Sequence, residues 1–458
     1  MTESPEYDIV ILGAGSGGYA AALRGAQLGL KVALIEGDKV GGTCLHRGCI
    51  PTKALLHAAE LADSAKEAAA VGVQMSLDGI DMGGVNKYKD GVVARLHKGL
   101  EGLVASRKVE LIRGWGKLVD EHTVEVDGNQ VRGKNIVLAT GSYSRSLPGL
   151  EIGGRILTSE QALQLDVVPK SAIVLGGGVI GVEFASVWKS FGADVTIIEA
   201  LPHLVPNEEE SISKTLERSF KKRKITFKTN TRFASAQQSD DGVVVTTENG
   251  EQYEAEILLV AIGRGPVTQD LGYSEVGIPM DRGYVLTDER LRTGIGNIFA
   301  VGDIVPGLQL AHRGFAHGIF VAEEIAGLNP AVVLDRDIPK VTYCEPEIAS
   351  VGLTEAQARE EYGDAVKTID YNLAGNGKSQ ILKTTGFIKL VGVHDGPIVG
   401  VHMIGARVGE LIGEGQLMVN WQAYPQDVAP LIHAHPTQNE ALGEAALALA
   451  GKPLHAHS

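Results

Sequence analysis

Two cysteines lie close together in residues 41–53, which read GGTCLHRGCIPTK. Such a thiol pair can exchange electrons with other thiols through disulfide exchange. Cys44 and Cys49 are five residues apart, which in a regular helix corresponds to an axial rise of about 7.5 Å. A disulfide tolerates a Cα separation of roughly 4.4 to 6.8 Å, so we expect Gly48 and Pro51 to make the backbone irregular here. From the spacing alone, a pair of buried structural thiols is an open alternative.

A second candidate for chemistry lies in residues 431–440, which read LIHAHPTQNE. Pro436 favours an extended His435, and it marks the expected start of the last helix. Glu440 lies near that start and could orient the imidazole of His435 and raise its basicity. The pair predicts a general base. The alternative is a surface histidine beside a carboxylate that complements the helix dipole.

The composition argues against several other functions. The chain of 458 residues has three cysteines, too few for a disulfide framework, and its net charge of -14 disfavours binding to nucleic acid or anionic lipid. No run of 18 apolar residues is present, so we expect no membrane span. His46 and His57 do not complete a zinc-ligand set with the cysteines, so we predict no metal site.

The elements that must position these residues show an internal repeat of strand, glycine turn and helix. A strand at 7–12 leads through Gly13, Gly15 and Gly18 into a helix at 19–28, and a second strand at 31–35 is followed by Glu36. The same order recurs in a strand at 172–175, a glycine turn, a helix at 182–191 and a strand at 194–198. The equivalent residues of this second unit are Gly176, Gly178, Gly181 and Glu199.

Each matching pair in this repeat is separated by 163 residues. The first glycine permits a tight turn, the second lets the backbone approach a pyrophosphate, and the third allows close packing of helix on strand. The free N–H groups of the helix then face the phosphates, and the carboxylate after the second strand can accept hydrogen bonds from ribose. Two copies in register therefore predict two dinucleotide-binding units.

Three further apolar segments belong to this framework. Residues 138–142 and 259–264 each end in a glycine turn and look like matching ends of the two units. A buried strand within 295–303 delivers Asp303 at its carboxyl end, where α/β proteins place ligands. Beyond Pro339, alternating segments at 386–393 and 398–404 together with amphipathic helices predict an α+β domain.

Together these motifs resemble the pyridine nucleotide-disulfide oxidoreductase family from Tyr7 to about Leu449. The resemblance implies an α/β fold with two Rossmann-like dinucleotide-binding domains and a C-terminal α+β dimerisation domain. It places an FAD-binding domain at 1–147 with 271–337, an NAD-binding domain at 148–270 and the interface domain at 338–458. It also implies that Cys44 and Cys49 form a redox-active disulfide, with Cys44 the interchange thiol and Cys49 the thiol beside the flavin.

The resemblance carries cofactor roles to individual positions. The residues expected to bind FAD are Gly13, Gly15, Gly18, Glu36, Thr43, Lys53, Gly116, Thr140, Gly141, Ser142, Asp303, Leu310, Ala311 and His312. Those expected to bind NAD are Gly176, Gly178, Ile180, Gly181, Glu183, Glu199, Phe233 and Gly263. Glu183 matches the carboxylate that pairs with the Lys53 position. His435 and Glu440 are the expected catalytic base and its partner.

Glu199 favours NAD, because its carboxylate can bind a ribose 2′-hydroxyl and would repel the 2′-phosphate of NADP. Within the family this choice points to the branch that oxidises dihydrolipoamide with NAD. That branch implies a homodimer that docks with lipoyl domains and the dihydrolipoyl acyltransferase core of a 2-oxo acid dehydrogenase complex, as its E3 component. One alternative is an NAD(P)H-dependent reductase of a glutathione- or mycothiol-like disulfide, and another is a redox sensor or scaffold.

The compartment is also an expectation at this point. The polar and acidic first six residues do not resemble a secretory signal, and few cysteines suit a reducing compartment. Both features predict a cytoplasmic protein. Cys344 has no partner in sequence, and we expect it to be a buried packing residue.

Overall fold

A computed structural model describes residues 6–456 of the chain. Most of the acidic N-terminal stretch therefore lies outside the described residues, as do the extreme ends of the first and last domains proposed above. Within the described part, no helix is both long and apolar enough to cross a membrane.

The first dinucleotide unit is built on a parallel sheet. Its strands are β1 (Tyr7–Leu12), β2 (Val32–Glu36), β3 (Glu110–Arg113), β4 (Gly116–Asp120), β5 (Thr123–Val126), β6 (Asn129–Leu138) and β7 (Ser142–Ser144). Its helices are α1 (Ser16–Gln27), α2 (Gly42–Arg47), α3 (Cys49–Glu67) and α4 (Met82–Ser106). The parallel order is β3-β2-β1-β6, and β4 and β5 continue it as an antiparallel hairpin. Continuous apolar runs form β1 and β2 because both faces of the sheet are covered.

The second unit repeats the plan. Its strands are β8 (Ile156–Leu157), β9 (Ser171–Leu175), β10 (Asp194–Ile198), β11 (Thr226–Lys228), β12 (Phe233–Gln238), β13 (Val243–Thr247), β14 (Gln252–Ala255), β15 (Ile257–Val260) and β16 (Arg264–Pro266). Its helices are α5 (Ser159–Ala162), α6 (Val179–Phe191) and α7 (Glu210–Lys222). The parallel order is β11-β10-β9-β15-β8, with a separate antiparallel sheet of β12, β13 and β14. The helix expected at 182–191 begins three residues earlier, directly after the glycine turn.

The chain then returns to the first sheet. The elements are α8 (Tyr273–Val276), β17 (Met280–Asp281), β18 (Tyr284–Val285), β19 (Ile298–Ala300) and α9 (Ala311–Ile325). β19 pairs in parallel with β6. The first unit is thus discontinuous in sequence, as the domain prediction requires; the residue limits of the domains stay predictions.

The last part of the chain forms an antiparallel sheet with helices. Its strands are β20 (Lys340–Thr342), β21 (Glu347–Gly352), β22 (Val366–Asn372), β23 (Phe387–Val393) and β24 (Ile398–Gly405) in the order β20-β21-β24-β23-β22. Its helices are α10 (Glu355–Tyr362), α11 (Gly377–Ile381), α12 (Val408–Asn420), α13 (Pro425–Val428) and α14 (Glu440–Leu449). The fold class predicted from the sequence is confirmed.

The start of the last helix was predicted wrongly. α14 begins at Glu440 and not at Pro436. The backbone N–H of Thr437 donates to the Glu440 carboxylate at 2.7 Å, and the Glu440 N–H donates back to the Thr437 hydroxyl at 3.3 Å. These reciprocal hydrogen bonds follow the side-chain pattern of a helix start, and His435 and Pro436 lie in the preceding loop.

Candidate active site

A cleft of about 1890 Å³ runs between the two dinucleotide units and along the C-terminal domain. Its wall carries Cys44 and Cys49 together with Gly15 of the first glycine turn and Gly178 of the second. Further predicted site residues on this wall are Thr43, Lys53, Gly141, Ser142, Ile180, Glu183, Glu199, Phe233, Gly263, Asp303, Leu310 and Ala311. The cleft therefore connects the thiols with both turns.

The two cysteines occupy separate helices. Cys44 lies in α2 and Cys49 is the first residue of α3, with Gly48 between them at φ −141° and ψ −111°. This break brings the thiols within hydrogen-bonding distance of each other, which a continuous helix would prevent. The expected role of Pro51 is wrong: it lies inside the first turn of α3, where a missing N–H costs no hydrogen bond.

The two thiols differ in acidity. The hydrogen bond from Cys44 lowers the pKa of Cys49 to about 7, with Lys53 adding to the effect against the opposing influence of burial. The same hydrogen bond, together with burial, raises the pKa of Cys44. Near pH 7 the pair therefore holds its negative charge on Cys49 and its proton on Cys44. A low-pKa thiolate is both a nucleophile and a good leaving group in disulfide exchange.

Lys53 and Glu183 form an ion pair beside Cys49, as predicted. The Lys53 Nζ lies 3.0 and 2.9 Å from the two Glu183 oxygens, and the Glu183 side chain is only 3% exposed. Burial lowers the Lys53 pKa, but the Glu183 carboxylate outweighs this effect and the pKa is raised overall. The C-terminal domain completes the pair, because the Tyr343 N–H donates to Glu183 at 2.9 Å and its ring lies 4.9 Å from Nζ. Tyr343 was not foreseen from the sequence.

The glycine turns have the geometry that nucleotide binding requires. Gly13 and Gly176 adopt φ values of +102° and +108°, which L side chains rarely adopt. A Cβ on Gly18 would lie 1.8 Å from the Gly13 carbonyl oxygen. Gly15 and Gly178 face open space within 4 Å, where a pyrophosphate can approach the helix N-terminus. The first and third glycines thus shape each turn, and the second faces the ligand.

The two acidic residues after the second strands have matching contacts. Glu36 accepts a hydrogen bond from the Ala14 N–H at 2.8 Å, and Glu199 accepts one from the Gly177 N–H at 2.6 Å. Each carboxylate is thereby fixed beside its own glycine turn. A carboxylate has about four acceptor sites, so each can still bind ribose hydroxyls. Both units fit a dinucleotide.

Ser142, Asp303 and Arg264 form a hydrogen-bonded group on the wall of the cleft. The Ser142 hydroxyl donates to Asp303 at 2.5 Å and accepts from the Arg264 Nε at 2.8 Å. Arg264 also donates to the Ser142 carbonyl at 2.7 Å. Arg264 lines the cleft and was not assigned a role from the sequence; it fixes the serine that donates to Asp303. The glycine turn at 263 that precedes it was the available signal.

Six predicted FAD residues lie outside the cleft wall: Gly13, Gly18 and Glu36, whose contacts are described above, and Gly116, Thr140 and His312. Gly116 packs in the core, where a Cβ would meet Leu12 at 2.6 Å. The Thr140 hydroxyl donates to the Val267 carbonyl at 2.6 Å, and the His312 ring bonds the Pro339 carbonyl at 2.7 Å. The side-chain contacts of Thr140 and His312 thus lie within the surrounding fold, and the assignment of these last three positions as FAD ligands stays a prediction.

His435 and Glu440 are paired but stand apart from the thiols. The His435 Nδ1 lies 2.8 Å from the Glu440 carboxylate, and the imidazole is 78% exposed. Although burial raises the Glu440 pKa, hydrogen bonds with Thr437 and His435 lower it overall, which keeps the carboxylate charged. The cleft wall around Cys44 does not include His435. Within one chain, the predicted base and the predicted nucleophile therefore do not share a wall of the cleft.

Other chemistry has less support in the described residues. Among residues 6–456, no group of three or more histidine, cysteine or acidic side chains is arranged to hold a metal ion. Cys344 is 1% exposed, its thiol donates to the Pro346 carbonyl at 3.2 Å, and burial raises its pKa. The expectation that Cys344 is a buried packing residue is confirmed.

A dithiol that opens into the same cleft as two nucleotide-binding turns can pass electrons between a thiol substrate and a bound nucleotide. Fold and site thus define a nucleotide-linked thiol–disulfide oxidoreductase. The chain belongs to the pyridine nucleotide-disulphide oxidoreductase family, whose model matches residues 7–318, and the dimerisation-domain model of that family matches residues 338–446. The chain is a flavoprotein disulfide oxidoreductase, and its cofactors are FAD and NAD.

Comparison with known proteins gives the same class. The chain is 41% identical to a dihydrolipoyl dehydrogenase of Bacillus subtilis, over 98% of this chain and 99% of the relative. It is 40% identical to the dihydrolipoyl dehydrogenase of Geobacillus stearothermophilus, over 98% and 97%. Among solved structures, LpdA from Mycobacterium tuberculosis is similar with a TM-score of 0.90 and 28% identity, over 96% of this chain and 99% of that one.

Proposed function

We propose that this chain oxidises dihydrolipoamide to lipoamide and reduces NAD to NADH. The observation that carries the proposal is the unequal thiol pair, with the Cys49 pKa lowered to about 7, in a cleft shared by both dinucleotide turns. The near-full-length similarity to dihydrolipoyl dehydrogenases supports the choice of substrate. The site assignments made from the sequence are part of this proposal.

In the oxidised enzyme, Cys44 and Cys49 are joined by a disulfide. A substrate thiolate attacks the Cys44 sulfur, which breaks that disulfide, forms a mixed disulfide with the substrate and releases Cys49 as a thiolate. The second substrate thiolate then attacks the substrate sulfur of the mixed disulfide, so that lipoamide leaves and Cys44 becomes a thiol. Two electrons have moved from the substrate to the cysteine pair; of the two substrate protons, one ends on Cys44 and the other passes to a base.

The residues around the pair then serve the cofactors. Bound FAD supplies a two-electron carrier between the dithiol and NAD. Lys53 stabilises the Cys49 thiolate, and Glu183 keeps the lysine charged. Gly15 and Gly178 leave room for the two pyrophosphates, and Glu36 and Glu199 are fixed where ribose hydroxyls would bind. Glu199 favours NAD over NADP for the electrostatic reason given above.

The proton base comes, in this proposal, from a second copy of the chain. His435 is exposed and lies off the wall that carries Cys44, and the chain has a dimerisation domain. A homodimer that places His435 of each chain over the cleft of the other would complete both sites. Glu440 then acts as a positioning residue, because it fixes the imidazole through Nδ1 and leaves Nε2 to accept the substrate proton.

The proposal extends to partners and location. A dihydrolipoamide substrate implies work on lipoyl domains as the E3 component, at the acyltransferase core of a 2-oxo acid dehydrogenase complex. We also propose a cytoplasmic location, since three cysteines are too few for the disulfide framework of an exported protein. Cell fractionation with an antibody tests the location, and co-purification with lipoylated protein tests the partner.

The decisive experiment is a steady-state assay of the purified enzyme with dihydrolipoamide and either NAD or NADP. We expect turnover with NAD and much weaker turnover with NADP. A matched assay supplies NADH with lipoamide, glutathione disulfide or mycothiol disulfide. Faster reduction of either of the last two would overturn the substrate assignment. A Cys44→Ser variant that retains full turnover would instead favour a redox sensor or scaffold.

A further inference from the structure

A row of polar side chains crosses the C-terminal sheet, with one residue from each of its five strands. Lys340, Ser350, His402, Lys389 and Asp370 are direct neighbours in that order on β20, β21, β24, β23 and β22. Directly opposed residues point to the same face of a sheet. Ser350 and His402 have no exposed surface, and the Lys389 side chain is 7% exposed. The mechanism proposed above does not use this row.

The row holds two carboxylates of the NAD-binding unit. Glu208 lies 3.1 Å from the Lys340 Nζ and accepts from the Ser350 hydroxyl at 2.6 Å. Glu209 lies 2.9 Å from the Lys389 Nζ and accepts from the Glu355 N–H at 2.9 Å. Both carboxylates belong to the loop that joins β10 to α7. We call the contacts of Lys340, Ser350 and Lys389 with Glu208 and Glu209 the interdomain clamp.

The two carboxylates of the interdomain clamp are buried, so they require close partners with good geometry. The Glu208 and Glu209 side chains are 6% and 8% exposed. Removing a carboxylate from water costs several kcal/mol, which only close partners with good geometry offset. The clamp therefore fixes the position of this loop against the C-terminal sheet much more narrowly than surface ion pairs would.

The other end of the same loop touches the glycine turn. The Val205 N–H donates to the Gly177 carbonyl at 2.8 Å, and the Gly177 N–H donates to Glu199 at 2.6 Å. A Cβ on Gly177 would lie 2.6 Å from Leu204, so the loop packs directly on the turn. Positions 199–209 therefore connect the predicted ribose ligand to the interdomain clamp.

Val205 has a backbone conformation that is unfavourable for valine. Its φ is +43°, and the residue is 2% exposed. The left-handed region costs a non-glycine residue about 1–2 kcal/mol, and more for a β-branched side chain. Such a conformation persists only where the surroundings enforce it. Gly177 holds Val205 on one side, and the clamp holds the loop three residues further on.

We propose that the interdomain clamp is a positioning network that holds the 200–209 loop on the Gly177 turn and so sets the affinity for NAD. The proposal rests on the NAD site proposed above. It makes the C-terminal domain a contributor to coenzyme binding through Lys340, Ser350 and Lys389. Loss of the clamp lets Val205 relax, which releases the turn and the orientation of Glu199.

The test is calorimetric titration of NAD into the oxidised holoenzyme. The variant Glu208→Gln/Glu209→Gln preserves side-chain shape and removes both charges. We expect about ten-fold weaker NAD binding, the scale that a 1.4 kcal/mol loss corresponds to. Hydrogen exchange of the Val205 amide should be faster by a similar factor. Reduction of the enzyme by dihydrolipoamide without NAD should be unchanged, since no hydrogen bond or ion pair among the described residues joins either residue to the helices α2 and α3 that carry the thiols.

Two further variants make the outcome clear. Lys340→Met/Ser350→Ala removes partners of Glu208 from the other domain, should also weaken NAD binding, and decides the matter if the glutamine variant does not fold. Lys214→Met breaks an exposed pair with Glu210 in α7 and should leave NAD binding unchanged. If the wild-type enzyme binds no NAD, the proposed function fails. If it binds NAD and the clamp variants bind equally well, the clamp proposal alone is overturned.

Discussion

At the residue scale, the hydrogen bond from Cys44 and the positive charge of Lys53 together favour the Cys49 thiolate. Lys53 stabilises the Cys49 thiolate, and Glu183 keeps the lysine protonated inside the fold. The lowered Cys49 pKa means that the thiolate is present above about pH 7 and is lost as the pH falls below it. The charge-transfer absorption of this thiolate with bound flavin therefore reports the pKa directly.

We predict that Lys53→Met raises the Cys49 pKa by about one to two units, because it removes the neighbouring positive charge. The measurement is a pH titration of the long-wavelength absorption after anaerobic reduction with one equivalent of dithiol. Lys53→Arg keeps the charge and should titrate close to the wild type. The double variant Lys53→Met/Glu183→Gln is a further control, because it removes the carboxylate that Lys53→Met alone would leave unpaired. An unchanged midpoint in both methionine variants would contradict the role given to Lys53.

Glu199 is expected to decide the coenzyme. Replacing it by glutamine removes the repulsion of a 2′-phosphate and weakens hydrogen bonds to a charged acceptor, which are worth about 1.5–3 kcal/mol. We predict that kcat/KM for NAD falls by about ten- to a hundred-fold and that the preference for NAD over NADP shrinks. Glu254→Gln, at an exposed carboxylate on β14, is the matched control. The same preference in Glu199→Gln and wild type would show that another residue discriminates.

At the element scale, the structure of each glycine turn depends on close contact between backbone atoms. In Gly18→Ala the new methyl group would lie 1.8 Å from the Gly13 carbonyl oxygen, so helix α1 must move away from β1. We predict a loss of about 1–3 kcal/mol of stability and a lower flavin content per chain. Thermal unfolding and the ratio of flavin to protein absorbance measure the two effects.

The control for this substitution is Gly102→Ala. Gly102 lies in helix α4, and a Cβ there meets nothing within 4 Å. Alanine favours a helix over glycine by up to about 1 kcal/mol, so this variant should be as stable as the wild type or more stable and should keep its flavin. Equal flavin content in both variants would show that close packing at Gly18 is not required.

The elements that could be predicted from the sequence are those with local causes. The turns at Gly13 and Gly176 need glycine for their own φ angles. The glycine pattern therefore predicts these turns without knowledge of the residues that pack against them. The start of α14 was misplaced because Thr437 and Glu440 cap each other, and Pro436 gave a competing signal. The row of polar residues across the C-terminal sheet could not be predicted. A lysine such as Lys389 in a strand is expected to be solvent-exposed, and its carboxylate partners lie far away in sequence.

At the scale of the whole molecule, the site is divided among parts of the chain that only the fold brings together. Lys53 comes from the first unit, Glu183 from the second and Tyr343 from the C-terminal domain. The pairing of Lys53 with Glu183 was predicted because the family resemblance supplied it. The separation of His435 from the cleft wall that carries Cys44 was not predictable from spacing, because it depends on domain packing.

Complementation between inactive chains tests the shared site. Cys44→Ser and His435→Gln homodimers should each be nearly inactive. In a hybrid dimer, the intact Cys44 of one chain would meet the intact His435 of the other, so one of two sites works. Random exchange of equal amounts makes about half of the dimers hybrid, so we predict about one quarter of wild-type turnover. If Cys44 and His435 of the same chain cooperate, every site in the mixture carries a lesion, and no turnover should return after the subunits are unfolded, mixed and reassembled with FAD.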